Sequence, residues 1–411
     1  MSKQEFYILF LIVSVISILF HLKSFYVKHN EGDEIVFRTL AKEMNWDLSH
    51  YTTMDNKYVR QFPSKIYTQP LFFHPPFYPL ILKLGQFLGN SVLWGLLFQN
   101  VSFILLMGFM CRVLFVLKLS RSAVVMALAL LVLCPVHLFS TTKLHLDGLL
   151  SIYFFCGVTL FVESLIKKSL LKSFLSGILL TVALNMKYTV LAMTPILFFV
   201  QVYYLYTKID HGKNYQQTIF NWKNWKYFLI MGIPVLLLGG QHFVRFFLEY
   251  GTLNPARFTT TMEEAFAWNR FLATIHSRTR LHCLSYLLAI FPIFAIYLTP
   301  PFWIYCKNNF KTKEWGFIYV AISIYLIIIC FYASYKQLRY LAPILPFTYL
   351  TILLVWEKVS PRIQKYYSGL ILLSLFLMST TGFRNTILFP LSDKIVPSIF
   401  DYLPFLQKYY L

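Results

Sequence analysis

Stretches of near twenty apolar residues recur along this chain at 6–27, 92–117, 122–141, 147–166, 170–187, 189–206, 227–247, 281–305, 315–334, 338–356 and 366–385. A helix needs about 20 such residues to cross a bilayer core, and in lipid every backbone polar group must be satisfied inside its own segment. The chain is therefore expected to be an all-α, polytopic membrane protein with about eleven transmembrane helices. Charge is correspondingly scarce, at 13% of residues against 57% hydrophobic, where soluble domains carry roughly 25% charged. Residues 1–21 lack a small-residue cleavage site after the apolar run, and the first span reads as a retained helix.

Thirty-seven Lys and Arg against 17 Asp and Glu give a formal charge of +20. In a soluble chain that excess would suggest a nucleic-acid partner, but no basic run is interleaved with a soluble fold, and none is expected here. Instead the basic residues collect in alternate short connections: Lys118 to Arg121, Lys167-Lys168 with Lys172, Lys208 to Lys226, Lys307 to Lys313, and Glu357 to Lys365. The positive-inside rule makes these the inner loops and the N-terminus cytoplasmic. A bacterial inner (plasma) membrane is the expected location. The six cysteines lie in or beside apolar stretches without paired spacing, so neither a disulfide framework nor a zinc site is indicated.

This threading leaves residues 28–91 and 248–280 as the two substantial outer segments of a single domain, 1–411. Residues 33–44 have helical apolar spacing with Asp33 as an N-cap candidate, and 72–88 reads similarly, with Pro75-Pro76 favouring a helix start. Both are expected to lie along the interface. The 248–280 loop carries Glu249, Glu263, Glu264, His276, Arg278 and Arg280, a mixture suited to binding an acceptor but equally to plain solvation.

The outer side also gathers the chemistry-bearing residues. Gly32-Asp33-Glu34 follows the first span, and adjacent carboxylates at a membrane boundary must face water, a cation or a substrate. With them fall His74, Lys143, His145, Asp147, Lys187 and Arg339. Each has a bland alternative. Asp33 reads as a helix cap and Glu34 as a first-turn acid. Arg339, Lys143 and Lys187 read as snorkelling cations, and His74 as a packed turn histidine. Asp147 reads as half of an ion pair with Lys143 or Lys187, and His145 as a cap of its span.

Five short motifs in order resemble the polyprenyl-phosphate-sugar-dependent glycosyltransferases of the GT-C superfamily, in particular the protein O-mannosyltransferase and aminoarabinose transferase branch. They are Asp33-Glu34 after the first span, Phe73-His74-Pro75-Pro76-Phe77-Tyr78-Pro79-Leu80, Leu146-Asp147-Gly148-Leu149-Leu150, Lys187-Tyr188-Thr189, and Arg339-Tyr340-Leu341-Ala342-Pro343-Ile344-Leu345-Pro346. The chain departs from the mannosyltransferases in having no large outer domain between late spans, which leaves the acceptor open among lipid, glycan and protein.

The resemblance implies inverting transfer of a sugar from a polyprenyl-phosphate donor on the outer face. Such a reaction needs a base near the acceptor, cations on the departing phosphate and an apolar groove for the prenyl chain. Asp33 is the favoured base, with Glu34 steering the acceptor. Arg339, whose forked guanidinium suits phosphate, leads the phosphate-binding set, joined by Lys187 and Lys143. His74, Asp147 and Tyr340 are the expected substrate-binding residues. No metal and no cofactor are implied, because Asp33-Glu34 alone offers too few oxygens for a cation cage. A flippase or transporter of a lipid-linked saccharide is the competing reading, though midplane charges and repeated halves, common in transporters, are not evident.

Overall fold

The boundaries of the helices follow from local chemistry. In the computed structural model, helix α1 is Lys3–His21, α2 Asp33–Glu43, α3 Phe77–Phe87, α4 Ser91–Val116, α5 Arg121–Leu133, α6 Pro135–Thr142, α7 Leu146–Ile166 and α8 Leu170–Met186. A 3-10 turn, Tyr188–Met193, leads into α9, Pro195–Lys208, and α10 and α11 are Lys226–Pro234 and Gln241–Tyr250. Helices α12 to α16 are Ile290–Tyr297, Pro300–Phe310, Gly316–Tyr332, Leu345–Trp356 and Pro361–Thr380. The structure describes residues 3–21, 25, 33–54, 56, 71–72, 74–208, 221–251, 290–310, 315–332 and 338–380, and among them there is no strand. Most of the 248–280 loop lies outside these residues.

Among the described residues three helices are long and apolar enough to cross a membrane, Ser91–Val116, Leu146–Ile166 and Tyr188–Lys208, and the number is up to six if each of three bent pairs is one span. The protein is an integral membrane protein. The bends have identifiable causes. Residues 122–141 read as one span, but Pro135 has no N–H to continue α5, Cys134 takes an extended ψ of 116°, and α6 leaves at 50°. In the 227–247 span, Pro234 precedes a π turn, Val235–Gly239, and α11 departs at 47°.

The chain forms two compact units, Met1–Tyr26, Met107–Thr142 and Ala265–Leu411 in the first, Val27–Leu106 and Lys143–Glu264 in the second. In the first, α1 packs on α5 and α6, and α15 packs on α5, α13, α14 and α16. Hydrogen bonds tie these apolar helices: the Thr351 hydroxyl donates to the Tyr319 carbonyl at 3.1 Å, and Tyr297 and Ser323 hydroxyls meet at 2.6 Å.

In the second unit α7 is the central helix, with every residue from Leu146 to Leu165 buried. Helix α8 packs on α7 and on α10. Gly177 permits the second contact, since a Cβ there would stand 2.2 Å from the Met231 carbonyl oxygen. Because that obstacle is backbone, Gly177→Val is expected to force α8 and α10 apart and to destabilise the protein by about 1–3 kcal/mol. Its thermal midpoint in detergent checks this, and an unchanged midpoint counts against the tight seam.

Candidate functional site

The expected first-loop helices are present. Helix α2 begins at Asp33 itself, so both acids occupy its first turn, where the helix dipole favours negative charge. Val36, Phe37, Leu40, Ala41 and Met44 are buried, and α2 packs on α3. Helix α3 starts at Phe77 directly after Pro75-Pro76 and buries Tyr78, Pro79, Leu82 and Gly85.

The two acids face different partners on one turn, residues 143–145, which leads into α7. The Asp33 Oδ2 lies 3.6 Å from the His145 Nδ1; the Asp33 side chain is 37% exposed and that of His145 10%. Asp33 thus keeps access to solvent or substrate while holding a nearly buried imidazole. His145 occupies the N-cap position of α7, as its place before the span led one to expect; its side chain makes no cap hydrogen bond and turns to Asp33.

Glu34 is buried, and its Oε1 accepts a hydrogen bond from the Leu144 N–H at 3.1 Å. This contact spans 110 residues of sequence and fixes the start of α7 against the start of α2. A buried carboxylate of this kind needs such a partner, because desolvation otherwise disfavours the charge. Burial, with the Glu34 charge nearby, pushes the Tyr78 hydroxyl well above its ordinary value, so it stays protonated. Gln99, a polar residue in the apolar α4, donates from Nε2 to the Tyr78 hydroxyl at 2.9 Å and to the His145 carbonyl at 3.3 Å. It braces the turn that carries His145. The sequence reading missed Gln99 and gave Tyr78 no role beyond its motif, although an amide within an apolar span is itself a signal of a buried polar contact.

At the start of α7, Asp147 pairs with Lys187 at 2.6 Å, with side chains 7% and 14% exposed. Of the two candidate lysines, Lys187 is in direct contact with it. Lys187 sits at the C-cap of α8, so α7 and α8 are pinned together at this end. Lys143, half-exposed, sits two residues before His145, its carbonyl accepting the His145 N–H at 2.8 Å.

His74 stacks on Tyr188, the residue after Lys187, with ring centroids 5.6 Å apart and planes 26° apart, and lies 6.4 Å from Phe37 and 5.9 Å from Phe72. Its loop is held from α11: the Tyr250 hydroxyl accepts the Leu71 N–H at 2.9 Å, Arg245 donates to the Leu48 carbonyl, and Tyr51 meets His242 edge-on. Tyr188 entered the sequence analysis only within the Lys187-Tyr188-Thr189 motif, and Tyr250 not at all.

The second unit therefore brings together Asp33, Glu34, His74, His145, Asp147 and Lys187, with Lys143 on the same turn. Arg339 and Tyr340 belong to the first unit. They lie in a 3-10 turn, Leu338–Leu341, that packs on α6, with the guanidinium carbon 5.5 Å from the Tyr340 ring centroid. Among the described residues no group of three or more His, Cys, Asp or Glu forms a metal-ligating set.

No protein-family profile matches the chain and no curated protein matches it in sequence. Among solved structures its fold is similar to that of ArnT from Cupriavidus metallidurans, solved bound to undecaprenyl phosphate, with a TM-score of 0.54 and 14% identity. The likeness covers 90% of this chain and 63% of that one, so the chain spans less than two thirds of the length of the protein it matches. The likeness is one of fold.

Proposed function

We propose that the chain is a membrane glycosyltransferase that takes a sugar from a polyprenyl-phosphate donor and passes it, with inversion, to an acceptor on the outer face of the membrane. The observation that carries this reading is the half-exposed Asp33 carboxylate set against the buried His145 imidazole, within a unit that also holds Lys143 and Lys187. Likeness in fold to a protein that binds undecaprenyl phosphate supports the choice of donor.

In this reading Asp33 removes the proton of an acceptor hydroxyl as that oxygen attacks the anomeric carbon. The bond from that carbon to the phosphate oxygen breaks with its electron pair on the phosphate. Lys143 and Lys187 offset the charge that develops there. His145 orients Asp33, Asp147 holds Lys187, and His74 with Tyr188 forms an aromatic wall suited to a sugar face. Glu34, buried on the Leu144 amide, shifts from steering the acceptor to fixing the turn. The phosphate and substrate roles of Arg339 and Tyr340 rest on their sequence motif.

We also assign membrane crossings to the shorter apolar helices Tyr7–Leu19, Leu170–Met186, Gly316–Cys330 and Leu345–Trp356 and to α16. With the three long helices and the three bent pairs, these restore the eleven spans expected from sequence.

Reconstitution into liposomes with a polyprenyl-phosphate donor labelled in the sugar tests the function. Loss of the sugar from the lipid is the expected result. Passage of intact donor between leaflets without release would instead make the chain a flippase.

A further inference from the structure

Helix α7 carries the Asp33 site at its first turn and, 21 residues later, ends among lysines. At 1.5 Å per residue it is about 30 Å long, the thickness of a bilayer hydrocarbon core. Its far end therefore meets the opposite membrane surface.

Five lysines gather there, and they divide into two sets. Lys167 and Lys172 share the buried Glu163 carboxylate, the first at 2.7 Å. Lys208 and Lys226 lie against a pair of tyrosines instead, with Lys168 near enough for its charge to act on one of them. The Lys208 ammonium lies 4.2 Å from the Tyr204 ring centroid and that of Lys226 lies 5.1 Å from the Tyr227 ring centroid, with the two rings edge-to-face at 6.3 Å. The charges of Lys168 and Lys226 also reach the Tyr204 hydroxyl, and Lys226 repels Lys208. Among the described residues no carboxylate pairs with any of the three.

Helix dipoles account for only part of this. Lys168 and Lys208 lie at the C-terminal ends of α7 and α9, where a cation is favoured, but Lys226 is the first residue of α10, where the dipole opposes it. Lys168 also holds a φ of 52°, left-handed backbone that glycine adopts far more readily at such a helix end. Three like charges, one against a dipole and one on unfavourable backbone, converge at these helix ends.

We infer that Lys168, Lys208 and Lys226, with the Tyr204 and Tyr227 rings, form a headgroup site for an anionic phospholipid in the leaflet opposite the Asp33 site. A phosphate fits the three ammonium groups, and the exposed Trp222 lies four residues before Lys226, an aromatic suited to the interface. The sequence between α9 and α10 agrees in sign, with Lys208, Lys213, Lys223 and Lys226 against Asp210 alone.

Native mass spectrometry of the full chain, equilibrated with phosphatidylglycerol or phosphatidylcholine, tests the site. The wild type should retain phosphatidylglycerol selectively. Each lysine near an anionic surface is worth roughly a factor of five, so K168Q/K208Q/K226Q should lower retention on the order of a hundredfold. K118Q/K307Q/K358Q, which removes the same charge elsewhere, should leave it unchanged. Should the first triple variant fail to fold, K226Q alone should lower retention by about fivefold. Equal retention of both lipids by the wild type, an equal loss in the control variant, no loss in K226Q, or displacement of the lipid by millimolar inorganic phosphate would each overturn the proposal.

Discussion

Replacing Asp33 by asparagine is expected to lower sugar transfer by a factor of about 10²–10⁴, the usual contribution of a positioned general base. The substitution preserves size and keeps an oxygen toward the His145 Nδ1, now 3.6 Å away, but removes the basicity the reaction needs. The loss should fall on kcat, with donor KM little altered, because Asp33 acts on the acceptor proton and not on the phosphate. Retained thermal stability would separate this effect from unfolding. Glu34→Gln makes the informative contrast. Its amide oxygen still accepts the Leu144 N–H, so turnover should fall far less than in Asp33→Asn. If the two variants lost activity equally, the division of labour between the adjacent acids would be wrong; full turnover in Asp33→Asn would remove it as the base.

That division is where sequence reading met its limit. Periodicity and loop charge sufficed to place α2 at 33–43 against an expected 33–44, and α7 at 146–166 against 147–166, because burial and capping act locally. The same reasoning put Asp33, His74, Asp147 and Lys187 on one side of the membrane. It could not say that Glu34 turns inward to Leu144 while Asp33 stays half-open, since neighbours on a helix point about 100° apart and only tertiary packing decides which is buried. Pairing is equally non-local: Asp147 had two candidate lysines 4 and 40 residues away, and the packing of α8 against α7 brings the distant one into contact. Pro135 could have announced the break between α5 and α6, but the apolar run across it concealed the bend.

The Asp147–Lys187 pair should dominate stability at this end of the unit. Lys187→Met deprives a carboxylate with a 7% exposed side chain of this ammonium, and Asp147→Leu deprives the ammonium of this carboxylate. Each is expected to cost about 3–5 kcal/mol, because the desolvation penalty of the surviving charge is no longer offset. Asp147→Leu with Lys187→Met removes both charges and restores apolar volume, so it should recover most of the lost stability, giving a coupling energy of more than 1 kcal/mol in a double-mutant cycle on chemical denaturation. Activity should not return with it. If Lys187 also offsets charge on the departing phosphate, the double variant is stable and slow, whereas a purely structural pair yields a double variant that is both stable and active. Stability and turnover read on the same four proteins therefore separate the ion pair that pins α7 to α8 from the cation that serves the reaction.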